Sequence, residues 1–292
     1  MILITGSAGK TGRAIIRALK NSKEPVRALV HRIDQVTRLD SLGVDEVLVG
    51  DMLDPACFKQ ALLGIRAIYH IAPNVSPDEV TIGRAAIKAA QFANVEVFVF
   101  HSVLHPQIEA MPHHWQKLRV EELLFVSGLH FTILQPTIYM QNIHSQWEQI
   151  LKDGIYKLPY APETCLSLVD LEDVADAAEI VLTELGHHGA TYELVGTPAI
   201  SQTEISEVLS GQLNRHVEIK KEKYEEWEQS ARASGLGEYQ VLTLIKMFKY
   251  YEQYGFLGNS NAMSCLLKRQ PTSFVECIKR TNSESLDEHR VS

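Results

Sequence analysis

The chain lacks the features that mark secreted disulfide scaffolds, metal proteins and membrane spans. Its 292 residues hold four cysteines, Cys57, Cys165, Cys265 and Cys277, scattered and with no CxxC pair. That spacing indicates neither a disulfide framework nor a zinc site, and reduced thiols in the cytoplasm are the reading it favours. Long apolar runs are missing, so no segment reads as a membrane span, and a first strand starting at Ile2 leaves no room for a signal peptide. Basic residues are outnumbered, 28 Lys and Arg against 36 Asp and Glu, for a net charge of −8. An acidic balance offers no general attraction to nucleic acid or anionic membrane, so neither is expected as a direct partner. Internal repeats and low-complexity linkers are absent. The 12 histidines include His101, His105 and the pairs His113–His114 and His187–His188, but no Cys, His or carboxylate set completes a tetrahedral site, and no metal is expected.

Present instead is a regular alternation of short apolar runs and amphipathic stretches of helical length. The segments ILIT, VRALV, VDEVLVGD, AIYHIA, VEVFVF and FTILQP are four to eight residues long, β-branched or aromatic, and apolar almost throughout. Near-continuous apolarity means that both faces are covered, as in a parallel sheet with helices on each side. Helix starts lie between the strands. Asp54–Pro55 supplies a cap and a proline at the first helical position, and Ser76–Pro77–Asp78–Glu79 reads as a capping box with an acidic first turn. The pattern predicts an α/β fold: a doubly wound parallel Rossmann sheet with helices on both faces over residues 1–155, with returning segments near 165–195. Residues 156–280 predict a smaller C-terminal α+β lobe on the substrate side. Asp170 reads as a helix cap, ATYELVG as a strand, Ser201–Glu204 as a second capping box, and the aromatics over 221–255 as packing. The polar stretch 281–292 reads as a flexible tail.

The segment ITGSAGKTGR, residues 4–13, carries two phosphate-binding signals at once. A triphosphate-binding loop needs glycine five positions before the glycine of Gly-Lys-Thr, because that spacing shapes the nest of backbone N–H groups. Counting back from Gly9 reaches Ile4, so that pattern fails. Gly6, Gly9 and Gly12 instead follow a strand and open a helix, a GxxGxxG turn close to the GxGxxG dinucleotide fingerprint. Gly6 makes the tight turn, Gly9 admits a pyrophosphate, and Gly12 allows close helix-to-sheet packing, with Ser7, Lys10 and Thr11 in the same turn.

Cofactor choice is read from the end of the second strand. An NAD site places a carboxylate there for the ribose 2′-hydroxyl, whereas this chain has His31 and Arg32. A guanidinium suits a 2′-phosphate, and Lys10 adds a second cation, so NADP(H) is expected in preference to NAD(H). Asp34 is the residue that a loop shift would bring to the ribose instead. At the end of the third strand, Asp51 and Met52 read as a border for the adenine, with a turn role for Asp51 equally open.

Together with GDMLD, FHSVLHP, HHWQKLRVEELLFVSGLHFTILQPTIYMQN and VDLEDVADAA, these segments resemble the NmrA-like branch of the atypical short-chain dehydrogenase/reductases over roughly residues 1–280. The resemblance implies a Rossmann domain with a small C-terminal lobe. The branch includes triphenylmethane and quinone reductases, plant phenylpropanoid ether reductases, and NADP(H)-sensing regulators. In the wider superfamily a Tyr-x-x-x-Lys pair supplies a proton and positions the nicotinamide ribose. At the matching place this chain has His113 and Lys117, four apart on one helical face, so the tyrosine is lost and the lysine kept. His113, with an ordinary pKa of about 6.5, reads as a proton donor near neutral pH. Ser102, Ala72, Pro73 and Pro136 resemble residues lining the nicotinamide site, and Tyr139 and Asn142 residues facing substrate. The resemblance implies an NADPH-dependent reductase of a small quinone-like, aromatic or conjugated acceptor in a cleft between the lobes. The alternative is a non-catalytic NADP(H)-sensing regulator acting through a protein partner. Oligomeric state is not legible.

Overall fold

A computed structural model describes residues 1–291, the side chains of 284 and 286–291 excepted. The chain divides into two compact units, one of residues 1–136 and 171–194, the other of 137–170 and 195–292.

The first unit is built on β1 (Ile2–Ile4), β2 (Val26–Val30), β3 (Glu46–Val49), β4 (Ala67–His70), β5 (Val97–His101), β6 (Phe131–Pro136) and the strand Thr191–Leu194. All neighbours pair in parallel, with β1 between β2 and β4; β3 flanks β2, and β5, β6 and Thr191–Leu194 follow on the other side. The order reverses between β1 and β4, the place where doubly wound sheets bind ligands beyond the strand C-termini. Burial explains the topology: β1, β4 and β6 are buried at every residue, so helices must cover both faces. On one face α2 (Pro55–Ala61), α3 (Glu79–Ala93) and α4 (Pro112–Phe125) lie side by side over a core that includes Leu3, Ile68, Phe98 and Phe100. On strands of period two, Ile2 and Ile4 point the opposite way. There α1 (Lys10–Asn21) packs against the helix Leu171–Thr183.

Asp54 caps α2 as its sequence predicts, accepting from the Ala56 N–H at 2.9 Å. The capping box expected at Ser76–Glu79 does not form. Ser76 Oγ accepts from the Asp78 N–H at 3.1 Å, α3 starts only at Glu79, and the Glu79 carboxylate turns inward.

In the second unit, three short strand pairs join Ile138–Tyr139 to Leu168–Val169, Cys165–Leu166 to Ile200–Ser201, and Ile155–Leu158 to Glu218–Lys221. The sheet of the first unit ends at Pro136, ahead of the expected boundary at 155, because Ile138–Tyr139 and Ile155–Leu158 find their partners in these local pairs. The capping box at Ser201–Glu204 is formed on both arms. The aromatic stripe packs: Trp227 meets Phe248 edge-on at 4.7 Å, and Tyr251 lies 4.9 Å from Phe256. The expected tail is helical instead. Phe274–Val291 is one helix, anchored by buried Cys277 and Thr281 and by Arg280, which donates to buried Asp170 at 2.5 Å; Ser292 lies outside the described residues. Asp170 is therefore an ion-pair partner, also accepting from Gln141 Nε2 at 2.9 Å.

Candidate functional site

The site assembles at the C-terminal ends of β1, β4 and β5. After β1 the chain turns at Gly6, where φ is +60° and a Cβ would stand 3.2 Å from Ile71 Cβ in the loop after β4. Gly12 lets the helix descend onto the turn: a Cβ there would lie 2.5 Å from Gly6 O and 2.7 Å from Ser7 Cα. Gly9 is the N-cap of α1, with no side-chain cap and no acidic residue in the first turn, so the first N–H groups are left to an external anion. Thr5, which the sequence did not single out, ties the two loops at the order reversal, its Oγ1 accepting from the Ile71 N–H at 2.8 Å and donating to its carbonyl at 2.9 Å.

Within this turn Ser7 plays a structural part. Its hydroxyl is fully buried, donates to Ile4 O at 2.6 Å and accepts from the Leu29 N–H at 3.1 Å, which takes its side chain out of contact with a ligand. Thr11 is buried and Lys10 is exposed at the first position of α1.

At the end of β2, His31 and Arg32 are exposed, and their backbone N–H groups both donate to Gln35 Oε1, at 3.0 and 3.1 Å. The Arg32 guanidinium is engaged by Asp34 through two bonds of 2.9 and 3.1 Å. That hydrogen-bonded pairing holds the Asp34 carboxyl below its usual range. At the end of β3, Asp51 is a turn residue, accepting from the Leu53 N–H at 2.9 Å. It also lines a small cavity of about 160 Å³ with Gly50 and Cys57. Met52 packs against the core.

The other half of the site is carried by α4. His113, Lys117 and Glu121 follow at intervals of four and share one helical stripe. Lys117 is not a surface lysine. Its ammonium donates to Glu79 Oε1 at 2.9 Å and to His101 O at 3.0 Å and lies 5.2 Å from the Phe100 ring centroid. Those two bonds leave one of its three N–H donors for a ligand. Glu79 is 3% exposed, so this is a largely buried ion pair joining the first residue of α3 to α4.

Glu121 is buried too, and accepts from Ser102 Oγ and from Gln135 Nε2 at 2.9 and 3.1 Å. Burial pushes its carboxyl up, against the pull of those donors and of Lys117. Ser102, expected at the cofactor, therefore spends its hydroxyl on Glu121. The sequence reading stopped at the Lys117 spacing, and the same interval carried one step further reaches Glu121.

His113 departs from its expected role. Burial first, then the Lys117 charge, lowers its pKa to about 4, so at neutral pH it is an uncharged imidazole with no acidic proton to give. Its Nδ1 is buried and has no hydrogen-bond partner among the described residues, which makes it a group for a ligand to satisfy.

Behind these groups His70 and His101 are buried, both pushed down to about 3 by burial and by Lys117, with His101 Nδ1 2.6 Å from Tyr69 OH. The loops after β4 and β5 each hold a non-glycine residue in the left-handed region, Val75 at φ +49° and His105 at +52°. Such backbone costs about 1–3 kcal/mol per residue and collects where a loop must hold a shape for function.

Ala72 is buried and Pro73 exposed in the first of these loops, and Pro136 is buried at the end of β6, its carbonyl accepting from the Leu104 N–H at 2.9 Å. Tyr139 and Asn142 belong to the second unit, in the strand Ile138–Tyr139 and the 3₁₀ segment Met140–Gln146. Among the described residues no group of three or more His, Cys, Asp or Glu could hold a metal ion, and no helix is long and apolar enough to cross a membrane.

The chain as a whole is similar to several known proteins. The chain is 30% identical over 243 residues to an NAD(P)H azoreductase of Xenophilus azovorans, covering 82% of each. It is 24% identical to quinone oxidoreductase 2 of Escherichia coli over 95% of this chain and 97% of the other. The crystal structure of NADPH-dependent quinone oxidoreductase from E. coli, complexed with NADPH, superposes with a TM-score of 0.82 at 24% identity, covering 96% of this chain and 99% of that one. Citrobacter sp. triphenylmethane reductase complexed with NADP(H) gives 0.82 at 22%, over 96% and 99%. These two structures establish the fold. With the NmrA-like family matching residues 1–286, the chain belongs to the NmrA-like family.

Proposed function

We propose that the protein is an NADPH-dependent reductase that passes hydride to a small quinone-like, azo or other conjugated aromatic acceptor. The observation that carries this reading is the uncapped glycine turn at the order reversal with Lys117 locked beside the end of β5. The names of the azoreductase and quinone oxidoreductase relatives support the acceptor class. The alternative of a regulator without turnover has no comparable support among them.

The residues present fit a dinucleotide. Gly12 lets the start of α1 close onto the turn, the uncapped α1 N–H groups would receive a pyrophosphate, and Lys117 would hold a ribose hydroxyl with its remaining donor. The bound nicotinamide supplies the hydride, and the protein supplies orientation and electrostatics. Lys117 is the cation that stabilises negative charge developing on the acceptor. His113, held neutral, serves as a hydrogen-bonding group and not as the acid. Preference for NADPH rests on Arg32 and Lys10, with Arg32 exchanging Asp34 for the 2′-phosphate. A cytoplasmic location, in keeping with four free cysteines, belongs to the same proposal.

The test follows NADPH absorbance across a panel of quinones, azo dyes and triarylmethane dyes. Turnover with at least one class is expected, and NADPH binding without oxidation by any acceptor would reject the reductase in favour of the sensor. In parallel, Arg32→Ala is expected to weaken NADPH binding about tenfold or more, as loss of a charge-assisted contact does, while leaving NADH affinity unchanged. Equal loss for both cofactors would remove Arg32 from 2′-phosphate recognition.

A further inference from the structure

A groove of about 700 Å³ runs between α2 and α3, formed by helix flanks and the turn after α2. Its floor is apolar and open because α3 contributes the small side chain of alanine at every fourth residue, Ala85, Ala89 and Ala93, with Leu62 on the α2 side. Lys59 of α2 and Arg84 and Lys88 of α3 also line it, the last two one helical turn apart. None of the three has a carboxylate partner among the described residues, and no Asp or Glu lines the groove, in a chain whose net charge is −8. Lys59 lies over the Phe92 ring instead, 5.6 Å from its centroid. Phe92 and Leu63, both lining the groove, are 75% and 65% exposed. Single exposed hydrophobics are ordinary, but two beside an apolar floor and three cations without a carboxylate partner among the described residues form a surface with a stated chemistry.

We infer that this groove binds a single-chain anionic amphiphile, a long-chain carboxylate, with its hydrocarbon along the alanine floor and its headgroup among Lys59, Arg84 and Lys88. From Thr81 to Ala93 the α3 face measures about 18 Å at 1.5 Å per residue, room for an extended alkyl chain. The volume falls within the roughly 300–1,000 Å³ of small-molecule sites. The charge pattern selects an anion, and the length of the apolar floor suits an alkyl chain.

The test is a titration of dodecanoate, below its micellar concentration, onto the full chain, read by calorimetry and by the shift in Tm. Dodecanol serves as the neutral control, and NADPH affinity is measured alongside. One saturable site is expected, with dodecanol at least tenfold weaker. Ala89→Trp, which fills the floor, is expected to abolish dodecanoate binding. The triple variant Lys59→Glu, Arg84→Glu, Lys88→Glu is expected to weaken it at least tenfold, both with NADPH affinity unchanged. Absence of saturable binding, equal affinity for dodecanol, or full retention in Ala89→Trp overturns the proposal. So does light scattering that shows a dimer converted to monomer by Ala89→Trp, which would assign the face to a second copy of the chain.

Discussion

Replacing Lys117 by alanine is expected to lower kcat/KM by about a hundredfold or more and, separately, to destabilise the fold. The first loss follows if Lys117 is the cation that the proposed function puts beside the acceptor, where a positioned acid or charge contributes about 10²–10⁴ in rate. The second follows from Glu79. Its carboxylate is 3% exposed and loses its only ion-pair partner among the described residues, a change that costs about 3–5 kcal/mol for a buried pair. Because the Lys117 side chain keeps 16% of its surface exposed, the lower end of that range applies.

The two losses separate by a second substitution. In Lys117→Ala, Glu79→Gln the orphaned charge is gone, so much of the stability is expected to return, while turnover stays at the level of the single variant. Denaturant midpoints and steady-state rates measure the two effects. If the double variant recovered activity together with stability, Lys117 would be a structural residue and its assigned part in the chemistry would be wrong. If Lys117→Ala unfolded no more easily than the wild type, the Glu79 pairing would carry no stability.

Acidification between pH 7 and pH 5 is expected to destabilise the protein steeply, well before ordinary carboxylates titrate. His70, His101 and His113 have folded pKa values of about 3, about 3 and about 4, lowered chiefly by burial. In the unfolded chain each returns to about 6.5. Each depressed value means that the unfolded state binds the proton first. The stabilisation is therefore fully present above pH 6.5 and is lost as pH falls towards the folded values, at about 1.4 kcal/mol per pH unit per histidine.

By pH 5 the three together reach on the order of 6 kcal/mol, comparable with the 5–15 kcal/mol total of a typical domain. His114, buried and likewise pushed well below its ordinary value by burial, adds to the loss, and Glu121 acts in the opposite sense, since burial raises its pKa and protonation relieves it, but it is one group against four. Denaturant unfolding at pH 7.5, 6.0 and 5.0 measures the slope, and His70→Gln, removing one of four buried histidines, is expected to reduce that slope by about a quarter. A stability that is flat across this interval would contradict the neutral, buried state of these imidazoles.

The sequence by itself determined the parts of this protein that depend on local chemistry. Strand positions were legible because segments buried on both faces must be apolar throughout, as β1, β4 and β6 are. The glycine turn was legible because glycine takes the positive φ of Gly6 without strain and alone permits the 2.5 Å approach at Gly12. The family followed from the same residues. Spacing on α4 placed His113 and Lys117 on one stripe, and Asp54 could be read as a cap because a cap bonds to its own first turn.

Tertiary structure alone decided what depends on partners distant in sequence. Glu79 looked like the acid of a capping box, yet it is the counter-ion of Lys117, 38 residues away. Ser102 and Ser7 looked like ligand contacts, and are held by Glu121 and by Ile4 and Leu29. His113 had an ordinary imidazole pKa on paper, and lost it to burial beside a cation. Arg32 was read as a cation for a 2′-phosphate, and its bond to Asp34 appears only when the loop is drawn, with Gln35 fixing the backbone beside it. The polar composition of 281–292 suggested a tail, whereas 274–291 run as one helix whose earlier turns are held by Cys277, Arg280 and Thr281. A residue's type sets what bonds it can make, and local geometry sets the near ones. The far ones, and the desolvation that shifts a pKa, exist only once the chain has closed around them.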